Sequence, residues 1–188
     1  MKVYREFKLK NGERLIIRSE EPTDAEITLE VYKKSTKETR FLSRGEMDKF
    51  PTVEDFKECA QEYLDNEKAC EVVAVYQNII VGTGHIDWYG GKLRAKHTCE
   101  VDLSVLKDYW GLGIGGKIMQ TLIDTAKDLG HEQIELWVVA DNEKAIKMYE
   151  SFGFVATGKR PHAWKYEDGT YADMIFMIKP LIKEFELN

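Results

Sequence analysis

The run Trp110-Gly111-Leu112-Gly113-Ile114-Gly115-Gly116-Lys117 is where residue type and spacing point most directly to chemistry. Glycines let backbone N–H groups converge on one point with no Cβ in the way. Behind them Ile118, Met119, Leu122, Ile123, Ala126 and Leu129 recur near the helical period, with Gly130 placed to end the helix. The loop therefore feeds a helix N-terminus, whose free N–H groups and positive dipole end suit a phosphate. A tight turn that only packs helix on strand uses the same letters. Gly111, Gly113 and Gly116 spell the dinucleotide fingerprint G-x-G-x-x-G, and Asp141 ends the next strand, where a ribose-binding acid belongs. That fingerprint starts directly at a strand end, whereas Leu106 to Trp110 intervene here. Gly111 to Lys117 also spell G-x-x-x-x-G-K, but Ile118 stands where a P-loop needs Ser or Thr for Mg²⁺.

These residues need a frame. Cys99, Val101, Leu103 and Val105 alternate with Glu100, Asp102 and Ser104, which predicts an amphipathic strand leading into the loop. Ile134 to Val139 reads as a buried strand, a short helix spans about 142–152, and Gly153 ends it. Upstream, Asn11-Gly12 predicts a two-residue hairpin turn, Gln77-Asn78 a second hairpin, and Gly90-Gly91 a strand end. Pro22 opens a helix with Ala25, Leu29 and Tyr32 on one face. Thr52 and Asp55 make a capping box for a helix carrying Val53, Phe56, Ala60, Tyr63 and Leu64. Two last strands are predicted at 154–156 and 174–178. Interleaved helices and strands with no linker or repeat predict one α/β domain over residues 1–188.

Composition narrows the function. The chain has 188 residues, 27 Lys and Arg against 33 Asp and Glu, and a net charge of −6. No basic cluster tracks phosphates, so no nucleic-acid partner is expected. No apolar run is long enough to span a membrane, and none marks a signal peptide, so no membrane partner is expected. Three cysteines without a C-x-x-C predict free thiols and a reducing, cytoplasmic setting. His97 and Cys99 can share a strand face, but no second ligand pair follows at zinc-like spacing. His85 and His131 are isolated, so no metal is expected.

Leu103-Ser104-Val105 followed by Trp110-Gly111-Leu112-Gly113-Ile114-Gly115 resembles the acetyl-CoA pyrophosphate loop of the GNAT N-acetyltransferase superfamily, Q/R-x-x-G-x-G/A after an amphipathic strand. Asn142 to Phe154 resembles its second signature, N-x-x-A-x-x-x-Y-x-x-x-G-F. The two occur in order, and Leu15 to Arg18 with Asp24-Ala25 resembles the family's first strand and helix. The tail from Gly158 to Met177 resembles ribosomal-protein-alanine and phosphinothricin acetyltransferases.

The resemblance implies a mixed, largely antiparallel sheet flanked by about four helices. It implies an acetyl-CoA-dependent N-acetyltransferase acting by direct attack in a ternary complex. The acceptor would be a primary amine, on a small molecule or a protein N-terminus; a second copy of the chain, in a homodimer, is the other candidate partner. Trp110 stands where the family most often has Gln or Arg, and an indole offers one donor. Diphosphate binding then falls to main-chain N–H groups from Leu112 to Gly116, with Trp110 packing or stacking.

Three tasks follow from thioester aminolysis. An amine with a pKa of ~10.4 must lose a proton. Glu100 is the resemblance's candidate base, directly or through water, with Asp102 second. Growing negative charge on the carbonyl oxygen needs donors, which backbone groups from Leu103 to Val105 would supply where this strand splays from the one starting near Gln133. The leaving thiolate needs a proton, which Tyr149 would give; a packed core tyrosine is its alternative use. Asn142 would hold a pantetheine amide, cap its helix, or both. The 35–44 connection and the 161–171 loop would wall the acceptor, with Arg160 available to a carboxylate. Two other classes use the same features: a non-catalytic CoA- or partner-binding module, and a nucleotide-binding enzyme.

Overall fold

The computed structural model describes residues 2–45, 48–88 and 94–185. In chain order the elements are β1 (Tyr4–Lys8), β2 (Arg14–Ser19), α1 (Ala25–Glu38), α2 (Val53–Asp65), β3 (Cys70–Tyr76), β4 (Ile79–Trp88), β5 (Thr98–Val105), α3 (Ile114–Asp128), β6 (Gln133–Val139), α4 (Glu143–Ser151), β7 (Val155–Lys165) and β8 (Tyr171–Pro180). Short 3-10 turns at Pro22–Asp24, Lys107–Tyr109 and Lys183–Phe185 punctuate them. Gly90 and Gly91 lie outside the described residues.

One eight-stranded sheet runs in the order β1-β2-β3-β4-β5-β6-β8-β7. Every neighbouring pair is antiparallel except β5 and β6. The expected mixed, largely antiparallel sheet, with four α-helices among the described residues, is therefore the observed fold.

Strand alternation assigns the faces. On β4, Gly84 and Ile86 lie under α3, whose Ile114, Ile118, Met119, Leu122, Ile123 and Ala126 are all buried. A Cβ on Gly84 would come within 2.6 Å of Ile118 Cγ2, so the missing side chain is what lets α3 sit this close to the sheet. His85 and Asp87 face the other side, toward α2, which packs on β3 while α1 packs on β4. Tyr32 joins α1 to the α2 layer, edge-on to Phe50 at 5.9 Å and tilted to Phe56 at 6.0 Å. The Thr52–Asp55 capping box forms as expected: Asp55 N–H donates to Thr52 Oγ1, and Thr52 N–H donates back to the carboxylate.

Two turns differ from expectation. At the first hairpin Leu9 N–H donates to the Glu13 carbonyl and Gly12 N–H to that of Leu9, and only Gly12 is left-handed, at φ +88°. A two-residue mirror-image turn needs both central residues at positive φ, so Asn11-Gly12 instead ends a longer loop with a glycine bulge. The mirror-image turn falls at Gln77-Asn78, with φ 49° and 64°. The final hairpin is also longer than expected: β7 starts at Val155 rather than 154 and takes in residues 155–165, so Pro161 to Lys165 are strand and not loop.

Position of the site follows from one irregularity. β5 and β6 pair only through Thr98↔Gln133, Cys99↔Ile134 and Glu100↔Glu135. Beyond that point β5 stays with β4 as far as Val105↔Gly82, while β6 stays with β8 as far as Val139↔Met174. The expected splay is present, and a wedge opens in the middle of the sheet.

Candidate active site

The wedge opens into a cleft of about 1040 Å³. Its walls are the outer half of β5, β6, the glycine loop, α4 and the chain after α1. Of the residues expected at the site, Glu100, Leu103, Ser104, Val105, Trp110, Gly111, Gly113, Ile114, Gly115, Gly116, Asn142 and Tyr149 all line it. Leu112 does not, because its side chain packs against the core.

Gly113 is the N-cap of α3 at φ +86° and provides no side-chain cap. The first helical bond runs from Lys117 N–H to the Gly113 carbonyl at 3.1 Å. The N–H groups of Ile114, Gly115 and Gly116 thus lack acceptors inside the helix. Gly111, at φ +82°, and Gly113 would both have open space around a Cβ, so their turn geometry and not crowding calls for glycine. Next to these groups the cleft is open, leaving them free to meet an anionic group such as a phosphate.

Trp110 has its one donor committed: the indole N–H donates to the Val105 carbonyl at 2.6 Å. It ties the loop to the end of β5 and supplies no hydrogen bond to a phosphate. Its ring instead carries Lys144, with Nζ 4.6 Å from the centroid. Lys144 is the single lysine or arginine among the described residues lining the cleft. Sequence reasoning passed over it. Its place in the first turn of α4, two residues after Asn142, was the available signal.

On β5, Leu103 N–H donates to Asp102 Oδ1 at 2.7 Å, so this donor at the open edge has only a neighbouring side chain to hold. Ser104 Oγ lies 3.3 Å from Thr83 Oγ1. Glu100 is half-buried and Asp102 exposed. Burial, then the charges of Asp87, Asp102 and Glu135, push the Glu100 carboxyl above the usual range, against a smaller opposing effect of His85. A raised carboxyl of this kind is better matched to accepting a proton near neutrality.

Tyr149 is 8% exposed and packs on Phe154 at 5.8 Å. Its hydroxyl makes no hydrogen bond among the described residues. Burial first, then the charge of Asp102, raise its pKa further, so it stays a proton donor. Asn142 caps α4 by accepting from Ala145 N–H at 3.3 Å.

The acceptor wall is only partly as expected. Ser35 to Glu38 are the last turn of α1, and Thr39, Phe41, Leu42 and Ser43 follow it into the cleft. From the final hairpin, Trp164 and Met174 reach the lining. Arg160 does not line it; its guanidinium lies 5.4 Å over Trp137, which does. Asp141 is held by Tyr166, whose hydroxyl donates at 3.0 Å, and by Arg40 at 3.5 Å. His85 and Asp87 also line the cleft, and strand alternation beyond Ile79-Ile80-Val81 was the missed signal. Among the described residues no three His, Cys, Asp or Glu side chains converge to hold a metal.

The profile of the Acetyltransferase (GNAT) family matches residues 31–154. L-amino acid N-acyltransferase MnaT of Escherichia coli is 32% identical over 82 residues, 44% of this chain and 47% of that protein. L-amino acid N-acetyltransferase AaaT of the same organism is 29% identical over 112 residues, 58% of this chain and 67% of that protein. The chain spans about half the length of the first curated relatives it matches. The crystal structure of a GNAT-family acetyltransferase from Streptococcus pneumoniae superposes with a TM-score of 0.85 at 24% identity, covering 89% of this chain and 99% of that one. A phosphinothricin acetyltransferase from Sinorhizobium meliloti, solved with acetyl-CoA, superposes at 0.80 with 16% identity, covering 97% and 94%. The interrupted sheet, the uncapped glycine turn and the family match agree: this chain belongs to the GNAT acetyltransferase family.

Proposed function

We propose that the whole chain acts as one acetyl-CoA-dependent N-acetyltransferase domain, passing the acetyl group to a primary amine by direct attack in a ternary complex. The observation that carries this is the wedge between β5 and β6, with uncapped N–H groups at one end and a raised carboxyl and a buried phenol along its walls.

Main-chain N–H groups of the 112–116 loop hold the diphosphate, and Lys144 adds positive charge from α4. Asn142 holds the pantetheine arm while capping its helix. Glu100 takes a proton from the acceptor ammonium, directly or through one water. The freed amine attacks the thioester carbonyl. Leu103 N–H exchanges Asp102 for the developing oxyanion, a contact worth roughly 3–4 kcal/mol when lost in such sites. Tyr149 donates its proton to the departing thiolate, giving free coenzyme A and an amide. The two Escherichia coli relatives support an amino-acid acceptor, and the ribosomal-protein-alanine neighbour from Brucella melitensis supports a protein N-terminus. Free thiols at Cys59, Cys70 and Cys99 support a reducing cytoplasmic setting.

The deciding experiment is a mass-spectrometric screen of acetyl-CoA against pooled amino acids, amines and N-terminal peptides. An acetylated amine with release of coenzyme A is the expected result. Tight coenzyme A binding without product from any pool would make the chain a binding module instead.

A further inference from the structure

We infer that His85 handles protons for the acceptor site, aimed by a Tyr63–Asp87 pair that reaches it from α2; this rests on the acetyltransferase reading above. β4 turns His85 and Asp87 to the same face, and both line the cleft. Across the β4–β5 ladder Asp87 stands opposite Glu100, and His85 opposite Asp102. His85 is therefore the diagonal neighbour of Glu100, a residue separation of roughly 7–8 Å with the Cβ atoms somewhat closer. A gap of that size is one that a single bridging water would close between the side-chain tips.

The imidazole is held on one side only. Asp87 Oδ2 lies 3.6 Å from His85 Nε2, and Asp87 Oδ1 accepts a hydrogen bond from the Tyr63 hydroxyl. The Tyr63 ring lies 6.3 Å from the imidazole. The Asp87 carboxylate thus faces the Nε2 edge of the ring, and neither ring nitrogen makes a hydrogen bond among the described residues. Tying α2 to the sheet requires the Tyr63–Asp87 bond alone. It does not require an imidazole lining the cleft beside Glu100. Other titratable groups around His85 are Glu71 opposite it on β3, Glu100 and Asp102 on β5, Cys59 near Asp87 on α2, and Glu38 at the end of α1.

The transfer balances as follows. An N–H bond of the acceptor ammonium breaks as an O–H bond forms on Glu100. That proton passes through the water to Nδ1 of His85 and leaves to solvent, restoring the carboxylate. An imidazole can take a proton on one ring nitrogen and give one up from the other, which suits His85 to both steps. Asp87 and Tyr63 are positioning residues in this chain.

The test uses the full chain with acetyl-CoA and an amine that the wild type acetylates. kcat/KM for the amine is measured against pH for wild type, His85→Gln, His85→Ala and Tyr63→Phe. The inference expects His85→Gln to lose about tenfold or more in kcat near neutral pH with KM for acetyl-CoA unchanged. It also expects a displaced acid limb, and partial rescue of His85→Ala by added imidazole. Tyr63→Phe should move the same limb with a smaller loss, and it decides the matter if the His85 variants do not fold. A wild-type pH profile in the variants, or a loss uniform in pH with no rescue, overturns the inference while leaving the acetyltransferase reading intact. A wild type inactive on every amine removes both.

Discussion

Replacing Tyr149 with Phe isolates one atom. The hydroxyl makes no hydrogen bond among the described residues, and the ring's packing on Phe154 survives the change. Stability should therefore move by no more than about 0.5 kcal/mol. The loop proposed to hold the diphosphate lies on a different element, so KM for acetyl-CoA should be unchanged. What is lost is the proposed donor to the leaving thiolate. Without it the thiolate departs unprotonated, and turnover falls at least about tenfold, equivalent to ~1.4 kcal/mol on the barrier. Burial and the nearby Asp102 charge keep the phenol protonated, so the loss should be uniform through the neutral range. The assay is steady-state release of coenzyme A, followed with a thiol reagent, alongside thermal melts of both proteins. A variant with wild-type kcat and an unchanged melt removes Tyr149 from the chemistry.

Coenzyme A at a hundredfold over its Kd should add ~2.7 kcal/mol of stability, and a titration with no heat and no rise in Tm would exclude the cofactor. Lys144→Ala should weaken coenzyme A binding by about three- to tenfold, or ~0.6–1.4 kcal/mol, with the difference shrinking at high salt; equal affinities at low salt would count against it. Glu20 is almost fully buried, with Thr28 Oγ1 on one oxygen at 2.6 Å and no partner on the other among the described residues. Burial raises its carboxyl and that of its neighbour Glu71. A carboxyl raised in the folded state contributes its stability below the ordinary carboxylate pKa and loses it as pH rises through the raised value. Glu20→Gln should therefore flatten the fall in Tm between acidic and neutral pH, and parallel curves would refute the assignment.

Local signals were legible in the sequence. The α3 stripe, the Thr52–Asp55 box and the alternation of β5 each depend on neighbours within a turn or a strand, and each formed. β7 was largely illegible because it is an edge strand whose residues are nearly all exposed, so no apolar alternation marks it. The hairpin at Asn11 shows the limit of turn chemistry: the letters permit a mirror-image turn, but the backbone uses Gly12 alone. In the site, the glycine loop could be read because its function is written in the backbone. The contacts of Lys144 with Trp110 and of Tyr63 with Asp87 could not, since each joins segments far apart in the chain, although the place of Lys144 just after Asn142 marked it as near the site.

Among the described residues, β5 and β6 join the two halves of this sheet through three paired positions and the His97 carbonyl beside them. A pantetheine arm lying along the open seam would act as a strut, sharing load between two slabs that otherwise meet at a single corner. The bound enzyme should accordingly be stiffer than the free one in a directional way. Amide exchange should slow in β6 and β8, on the far side of the seam, and stay the same in β1 and β2, at the remote edge.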